Sequence, residues 1–297
     1  MAKMIVMNMV TPPPDLAAIS ALQSKLVSAL RPILPEHALL WEPEDTIPYE
    51  CDGLAAYRRM PLAVALPETE EQVAKILSIC FEMQIPVVPR GSGTGLSGGA
   101  MPISQGLVLS LAKLKKIISI DPFTRTAVVQ PGLRNLAISE AVAHLGLYYA
   151  PDPSSQIACS IGGNVNENSG GVHCLKYGLT LHNVLRVRGV LMNGEVVEFG
   201  SLAPDSPGLD LMAVMMGSEG MLAVVTEVTV KLVAKPKLAR VIMASFDDIE
   251  KGGNAVAAII AAGIIPAGLE MMDKATARAV EEFVHAGYDL DAAAILL

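Results

Sequence analysis

Pro89-Arg90-Gly91-Ser92-Gly93-Thr94-Gly95-Leu96-Ser97-Gly98-Gly99-Ala100 is the stretch on which the reading of the fold turns. Five of its twelve residues are glycine, and the apolar run Ile85 to Val88 before it reads as a strand. Without side chains in the way, consecutive backbone N–H groups can close around oxyanions as a nest. Ser92, Thr94 and Ser97 add hydroxyl donors. No Gly-Lys-Ser/Thr ends the stretch, so it is not a Walker loop. No helix of the right pattern follows, so it is not the dinucleotide fingerprint of a strand–turn–helix unit.

Upstream, Leu62 to Leu66 reads as a short strand. Thr69-Glu70-Glu71-Gln72 is a capping-box pattern that opens a helix to about Met83, with Val73, Ile76, Leu77 and Cys80 on one face. Further back, Leu16, Ile19, Leu22, Leu26 and Leu30 mark an amphipathic helix after Thr11-Pro12-Pro13-Pro14-Asp15. Pro35 to Pro48 holds too many prolines for regular structure. Downstream, Gly106 to Leu111 is a strand, and Ile117 to Asp121 with Arg125 to Gln130 form a hairpin. Leu133 to His144 is a helix stopped by Gly146. Leu185 to Leu191 and Glu195 to Phe199 flank the hairpin turn Asn193-Gly194. A short helix near Leu209 to Met215 and a long strand over Leu222 to Val233 follow, and Lys235-Pro236-Lys237 reads as a domain boundary.

Two more glycine-bearing segments belong with the first. Pro151-Asp152-Pro153-Ser154-Ser155 leads to Cys159-Ser160-Ile161-Gly162-Gly163-Asn164-Val165-Asn166-Glu167-Asn168-Ser169-Gly170-Gly171. Two Gly-Gly pairs with small polar residues between them predict a long loop lying flat against a ligand, and long loops inside compact domains are usually functional. Gly217-Ser218-Glu219-Gly220-Met221-Leu222, leading into Val224, is weaker on its own, since a glycine-rich helix-to-strand turn explains it equally well.

Composition narrows the class. A formal net charge of −8 excludes a nucleic-acid binder that relies on a basic face. Hydrophobic residues make up 52% of the 297 and aromatics only 4%, which suits a sheet covered by helices. Cys51, Cys80, Cys159 and Cys174 are scattered, so neither a disulfide framework nor a zinc site is expected, and a reducing cytosol is the default. Mean hydropathy is +0.44, yet Ala255 to Leu269 is broken by Gly263, Pro266 and Gly268 and is too short to span a bilayer. The opening MAKMIVMNMV lacks the features of a signal peptide.

After Lys237 the pattern is β-α-β-α: strands Arg240 to Phe246 and Ile264 to Glu270, helices Ile249 to Ala262 and Asp273 to His285. Ala292 to Leu297 is a further apolar, strand-like run with no turn or cap after it, which reads as the sign of a fragment.

The three glycine segments, in this order and at these separations, resemble the FAD-binding domain of the vanillyl-alcohol oxidase superfamily. Asn168-Ser169-Gly170-Gly171-Val172-His173-Cys174-Leu175-Lys176-Tyr177-Gly178 is similar to the glycolate-oxidase branch in particular, next to the D-lactate dehydrogenases. The resemblance implies an α+β fold: an irregular helical segment (1–53), a PCMH-type FAD-binding domain of two subdomains (54–236), and the first part of an FAD-linked oxidase cap domain (237–297). It implies that Arg90, Gly91, Ser92, Gly93, Thr94, Gly95, Leu96 and Ser97 hold the FAD pyrophosphate. Pro151, Asp152, Ser154, Ser160, Gly162, Gly163, Asn164, Asn168, Gly170 and Gly171 would line the flavin and ribityl region, and Glu219, Gly220 and Val224 the adenine or ribityl end. No histidine lies between Arg90 and Ala100, so the flavin is expected to be non-covalent.

The same resemblance implies hydride transfer from a small 2-hydroxy acid to flavin, with a second flavin-binding subunit and an iron–sulfur subunit as partners at the inner membrane surface. The family's histidine-rich metal and substrate site has no counterpart here: His37, His144, His173, His182 and His285 lack metal-ligand spacing, and His173 reads as structural. No catalytic residue is assigned, and the chain is expected to bind FAD but oxidise hydroxy acids poorly unaided. Two alternatives stay open, a nucleotide-sugar reductase on the same FAD domain and a non-catalytic FAD-binding subunit or fragment.

Overall fold

The computed structural model describes residues 16–203 and 208–297; the readings of MAKMIVMNMV and of Thr11 to Asp15 lie outside them. The first group of elements is helix α1 (Leu16–Leu30), strand β1 (Leu39–Leu40), the single turn α2 (Pro43–Thr46), β2 (Ala63–Ala65), α3 (Glu70–Glu82), β3 (Val87–Arg90) and β4 (Leu107–Ser110). The strands order as β1-β2-β4-β3, with β2 and β3 both parallel to β4 and β1 antiparallel to β2. Every residue of β2 and β4 is buried, as expected of parallel strands covered on both faces. The helices bring Leu26, Leu30, Val73, Ile76 and Leu77 into this core. Gln23 ties α1 to the sheet, its Nε2 donating to the carbonyls of Leu62 (2.8 Å) and Trp41 (3.1 Å). The 35–48 segment is more regular than its prolines suggest, because Pro43 stands at the first helical position of α2, where no N–H is needed.

The second group comprises β5 (Ile117–Asp121), β6 (Thr126–Val129), α4 (Asn135–Val142), β7 (Leu147–Tyr148), α5 (Ile161–Glu167), the turn α6 (Cys174–Tyr177), β8 (Val184–Val190), β9 (Val196–Gly200), α7 (Leu211–Met215), β10 (Val224–Lys231) and β11 (Val233–Ala234). Five strands form an antiparallel sheet, β5-β6-β10-β8-β9, and β11 pairs with β7. Both expected hairpins are present, and Gly194 takes the positive φ (87°) that its turn demands. Gly146 (φ 67°) ends the turn after α4. The second core gathers Val187, Val225, Val228 and Val230 from the sheet with Ile138, Ile161 and Val165 from the helices.

A cluster of polar side chains joins the two groups. Arg188 on β8 reaches Glu70 in the first turn of α3 with Nη2–Oε1 at 2.9 Å, and its Nη1 reaches Glu198 at 2.8 Å. Thr226 on β10 donates to the same Glu70 carboxylate at 2.6 Å. Hydrogen bonds that Arg188 donates to Glu70, then to Glu198, raise its pKa and keep the guanidinium charged.

The third group holds β12 (Ala244–Phe246), α8 (Ile249–Ala261), β13 (Met271–Asp273), α9 (Lys274–Val284) and β14 (Ala294–Leu296). β14 lies between β12 and β13 and is antiparallel to both. The second strand expected here, Ile264 to Glu270, is displaced to Met271–Asp273. Gly263 takes positive φ (75°) and Pro266 cannot donate to a ladder, so pairing begins only after them. Asp273 then caps α9, accepting from the Thr276 N–H at 2.7 Å.

Candidate functional site

The glycine stretch leaves β3 as an irregular loop along the edge of a cleft of about 190 Å3. None of the backbone N–H groups from Gly91 to Gly99 donates to a protein acceptor among the described residues; the first that does is Ala100, to Asp52 Oδ2 at 3.4 Å. Unpaired donors in succession are the electrostatic basis of an anion nest. Arg90, only 8% exposed, braces the loop from beneath. Its Nη1 donates to the carbonyls of Cys51 (2.7 Å) and Ala100 (3.3 Å), and the guanidinium lies 5.6 Å from the centre of the Tyr49 ring. Burial lowers its pKa from the usual arginine value, and nearby Asp52 opposes that shift. A side chain at Gly93 (φ 69°) would fall onto this guanidinium, so the loop closes over Arg90 only because the residue is glycine.

The facing wall is the start of α5. This corrects the expected long loop: Ile161–Glu167 is helical, capped by Asn168 in the left-handed region (φ 49°). Gly162 lets the helix press against Pro131, where a Cβ would lie 2.6 Å from the proline Cβ. Tertiary packing thus overrides the low helix propensity of paired glycines. Ser160 precedes the helix, is 2% exposed, and its Oγ has no hydrogen-bond partner among the described residues. The Gly163 N–H likewise finds no acceptor there. A Cβ at Gly91 would collide with Ser160 Oγ, so glycine loop and helix meet at backbone distance.

The third wall is the Gly217–Gly220 turn, stitched to the far end of α5. Gly217 N–H donates to Val165 O (3.0 Å), Glu219 N–H to Asn166 O (2.9 Å) and Gly220 N–H to Asn166 Oδ1 (3.0 Å). This sets Glu219 (φ 51°) beside Glu167 at the cleft. A Cβ on Gly99 would lie 2.5 Å from Glu219 Oε2 and 3.8 Å from Glu167 Oε1. Glu167 stands at the solvent-facing mouth, yet partial burial, then Glu219 and Asp52, raise its pKa above the ordinary carboxylate value.

Of the residues expected at the site, Arg90, Gly91, Ser92, Gly93, Thr94, Gly95, Ser160, Gly162, Gly163, Asn164 and Glu219 line this cleft together. Leu96 and Ser97 turn outward to solvent. Pro151 sits behind α5, its carbonyl accepting from Asn135 Nδ2 at 3.1 Å. Ser154 is exposed. Asp152 pairs with His173 instead, Oδ2 to Nδ1 at 2.6 Å, and Gly171 packs directly on the Asp152 backbone. Asn168 Oδ1 accepts from Leu181 N–H (3.0 Å), Gly170 packs on Cys174, and Gly220 packs on the Pro89 ring. Val224 belongs to the first hydrophobic core and not to the cleft; a strand residue facing a packed layer cannot also face a ligand on that side.

Glu167, Asn166, Ser155, Cys159 and Ser169 also line the cleft and were not expected there. Once the segment is known to be helical, the spacing from Gly163 to Glu167 puts both on one face. No group of three or more metal-capable side chains converges among the described residues, and no helix there is long and apolar enough to cross a membrane.

Comparison with known proteins agrees with this geometry. Residues 61–200 match the FAD binding domain family, and residues 235–297 match the FAD linked oxidases, C-terminal domain. The chain thus carries an FAD binding domain followed by a segment of the C-terminal domain of FAD linked oxidases. It is 60% identical to the glycolate oxidase subunit GlcD of Escherichia coli (strain K12) over 93% of its own length and 55% of that protein. It is 32% identical to a D-lactate dehydrogenase of Anaerostipes hadrus over 88% of its length and 55% of that protein. The chain therefore spans about half the length of the curated relatives it matches. Among solved structures, an alkyldihydroxyacetonephosphate synthase shares the fold at a TM-score of 0.78 with 19% identity, over 97% of this chain and 56% of that one.

FAD is the cofactor of this family domain, and the residues present fit it. The diphosphate needs several donors at backbone distance, which the Gly91–Gly95 amides, the orphaned Ser160 Oγ and the Gly163 N–H offer at this cleft.

Proposed function

We propose that the chain provides the flavin site for oxidation of a small 2-hydroxy acid, such as glycolate or D-lactate, to the 2-oxo acid. The carrying observation is that the Gly91–Gly95 stretch, whose N–H groups are unpaired, and the buried, partnerless Ser160 hydroxyl line one cleft. On this reading Gly91 to Gly95, Ser160 and Gly163 hold the FAD pyrophosphate, and Gly162, Asn164 and Glu219 line the cleft around the rest of the cofactor. Arg90 acts mainly as the brace of the loop. With no histidine in the loop, FAD is held non-covalently. When bound, FAD supplies the hydride acceptor, while the protein's contribution is to orient it and tune its surroundings.

The relatives' names support the substrate class, since they are a glycolate oxidase subunit and a D-lactate dehydrogenase. The word subunit supports operation within an assembly, for which we propose a second flavin-binding subunit and an iron–sulfur subunit at the cytoplasmic face of the inner membrane. We take 54–236 as the flavin domain and 237–297 as part of a cap domain.

The test is the visible spectrum of the purified chain with FAD before and after anaerobic addition of glycolate or D-lactate. A bound-flavin spectrum that bleaches supports both parts of the proposal. Bound flavin that stays oxidised limits the chain to an FAD-binding role, and the absence of bound flavin refutes the site.

A further inference from the structure

We propose that Glu167, set beside the Glu219 carboxylate, takes up a proton from solvent whenever the cleft holds its diphosphate-bearing ligand. The inference rests on the FAD reading above and assigns the two carboxylates a part in it. Both reach the space beside Gly99, within 2.5 Å and 3.8 Å of the position a Cβ would take there, and both line the cleft. Among the described residues neither carboxylate makes a salt bridge with a lysine, arginine or histidine. The charged groups that act on Glu167 are Glu219 from the 217–220 turn and Asp52 from the segment between β1 and β2. Arg90, the cation of this wall, faces Asp52, Cys51 and Tyr49 and gives its Nη1 to two carbonyls.

That an anion enters here is signalled independently of the carboxylates, by the buried Ser160 Oγ without a partner and by the unpaired loop amides. A diphosphate brings negative charge to a wall that already carries two carboxylates and displaces the water that screens them. Like charges brought together in a drier setting favour the protonated form of a carboxyl. One proton on Glu167 removes one negative charge and turns an acceptor into an O–H donor. The balance is simple: ligand plus one proton enter, and no covalent bond changes.

The sign follows from linkage. The Glu167 pKa is higher in the complex than in the free chain. Affinity is therefore constant below the free value, falls as pH rises between the two values by at most about tenfold per unit, and levels off above the bound value. FAD is titrated into the flavin-free chain from pH 5.5 to 9 by flavin fluorescence quenching. Calorimetry at one pH in phosphate and in Tris, whose ionisation enthalpies differ, counts the protons. The expected result is a Kd that rises with pH and proton uptake of up to one per FAD. Glu167→Gln or Glu219→Gln should flatten the profile and tighten binding at the alkaline end.

FAD binding with a level pH profile and no buffer dependence overturns the inference while leaving the cofactor reading in place. Variants that loosen FAD equally at every pH also overturn it, since the carboxylates would then act as ionised acceptors. No binding at any pH removes the cofactor reading itself, and the inference with it.

Discussion

Single glycines determine whether the cleft exists. At Gly91 a methyl group would overlap Ser160 Oγ, while the Ser160 Cβ lies 3.5 Å away, an ordinary contact. Gly91→Ala should therefore lower FAD affinity by about tenfold or more, ~1.4 kcal/mol, as read by fluorescence titration. The double variant Gly91→Ala/Ser160→Ala should recover the unfolding midpoint lost by Gly91→Ala, because the clash is gone, without recovering full FAD affinity, because the hydroxyl donor is gone. Equal loss in single and double variants would contradict the packing account. Ser160→Ala alone should leave stability unchanged or slightly raised, since its hydroxyl is buried without a partner. The glycine loop was legible from composition because backbone donors in series need glycine. Glu167 was not, since nothing in sequence brings residue 167 beside residue 219; hydrogen bonds from the turn to Val165 and Asn166 do that.

Among the elements, α3 was the most readable and α5 the least. Thr69 and Gln72 form both halves of the capping box, Thr69 Oγ1 accepting from the Gln72 N–H (3.2 Å) and Gln72 Oε1 from the Thr69 N–H (3.3 Å). Thr69→Ala should cost about 1 kcal/mol of stability by denaturant unfolding. Glu70 in the same turn carries a heavier load, since it is the acceptor for Arg188 and for the Thr226 hydroxyl. Glu70→Ala should cost more than Thr69→Ala, about 1–3 kcal/mol, and Arg188→Lys should recover little of Arg188→Ala because a point charge cannot reproduce the forked contacts. An Arg188→Lys variant as stable as the parent would contradict that. The helix α5 was hidden because its paired glycines and asparagines favour turns locally, and contacts distant in sequence hold it in place: Pro131 on one side, the 217–220 turn on the other, and the second core beneath Ile161 and Val165. The strand β13 was misplaced for the related reason that apolar content alone cannot say where pairing begins once Gly263 and Pro266 intervene.

Across the whole molecule, stability is spread unevenly. The first two cores are continuous, whereas the third holds only Ala277, Ala292 and Ile295 as its buried centre. Val241, Ile242, Ile265 and Phe283 nearby stand in solvent. Amides of β12, β13 and β14 should thus exchange with deuterium sooner than those of β8 and β10 under native conditions; equal protection would mean a single cooperative unit. Apolar side chains left in solvent also favour self-association, so replacing Phe283 with Ser should raise solubility without changing FAD binding. One feature of the second sheet has its own bearing on biogenesis. β10 sits between β6 and β8, pairing Val228 with Val129 on one side and Val187 on the other, and the turn that carries Glu219 immediately precedes it. During vectorial synthesis the nascent chain therefore exposes two unjoined hairpins and an incomplete cleft until β10 leaves the ribosome. The complete flavin cleft cannot form before β10 has emerged, and until then those open hairpin edges are exposed to mispairing.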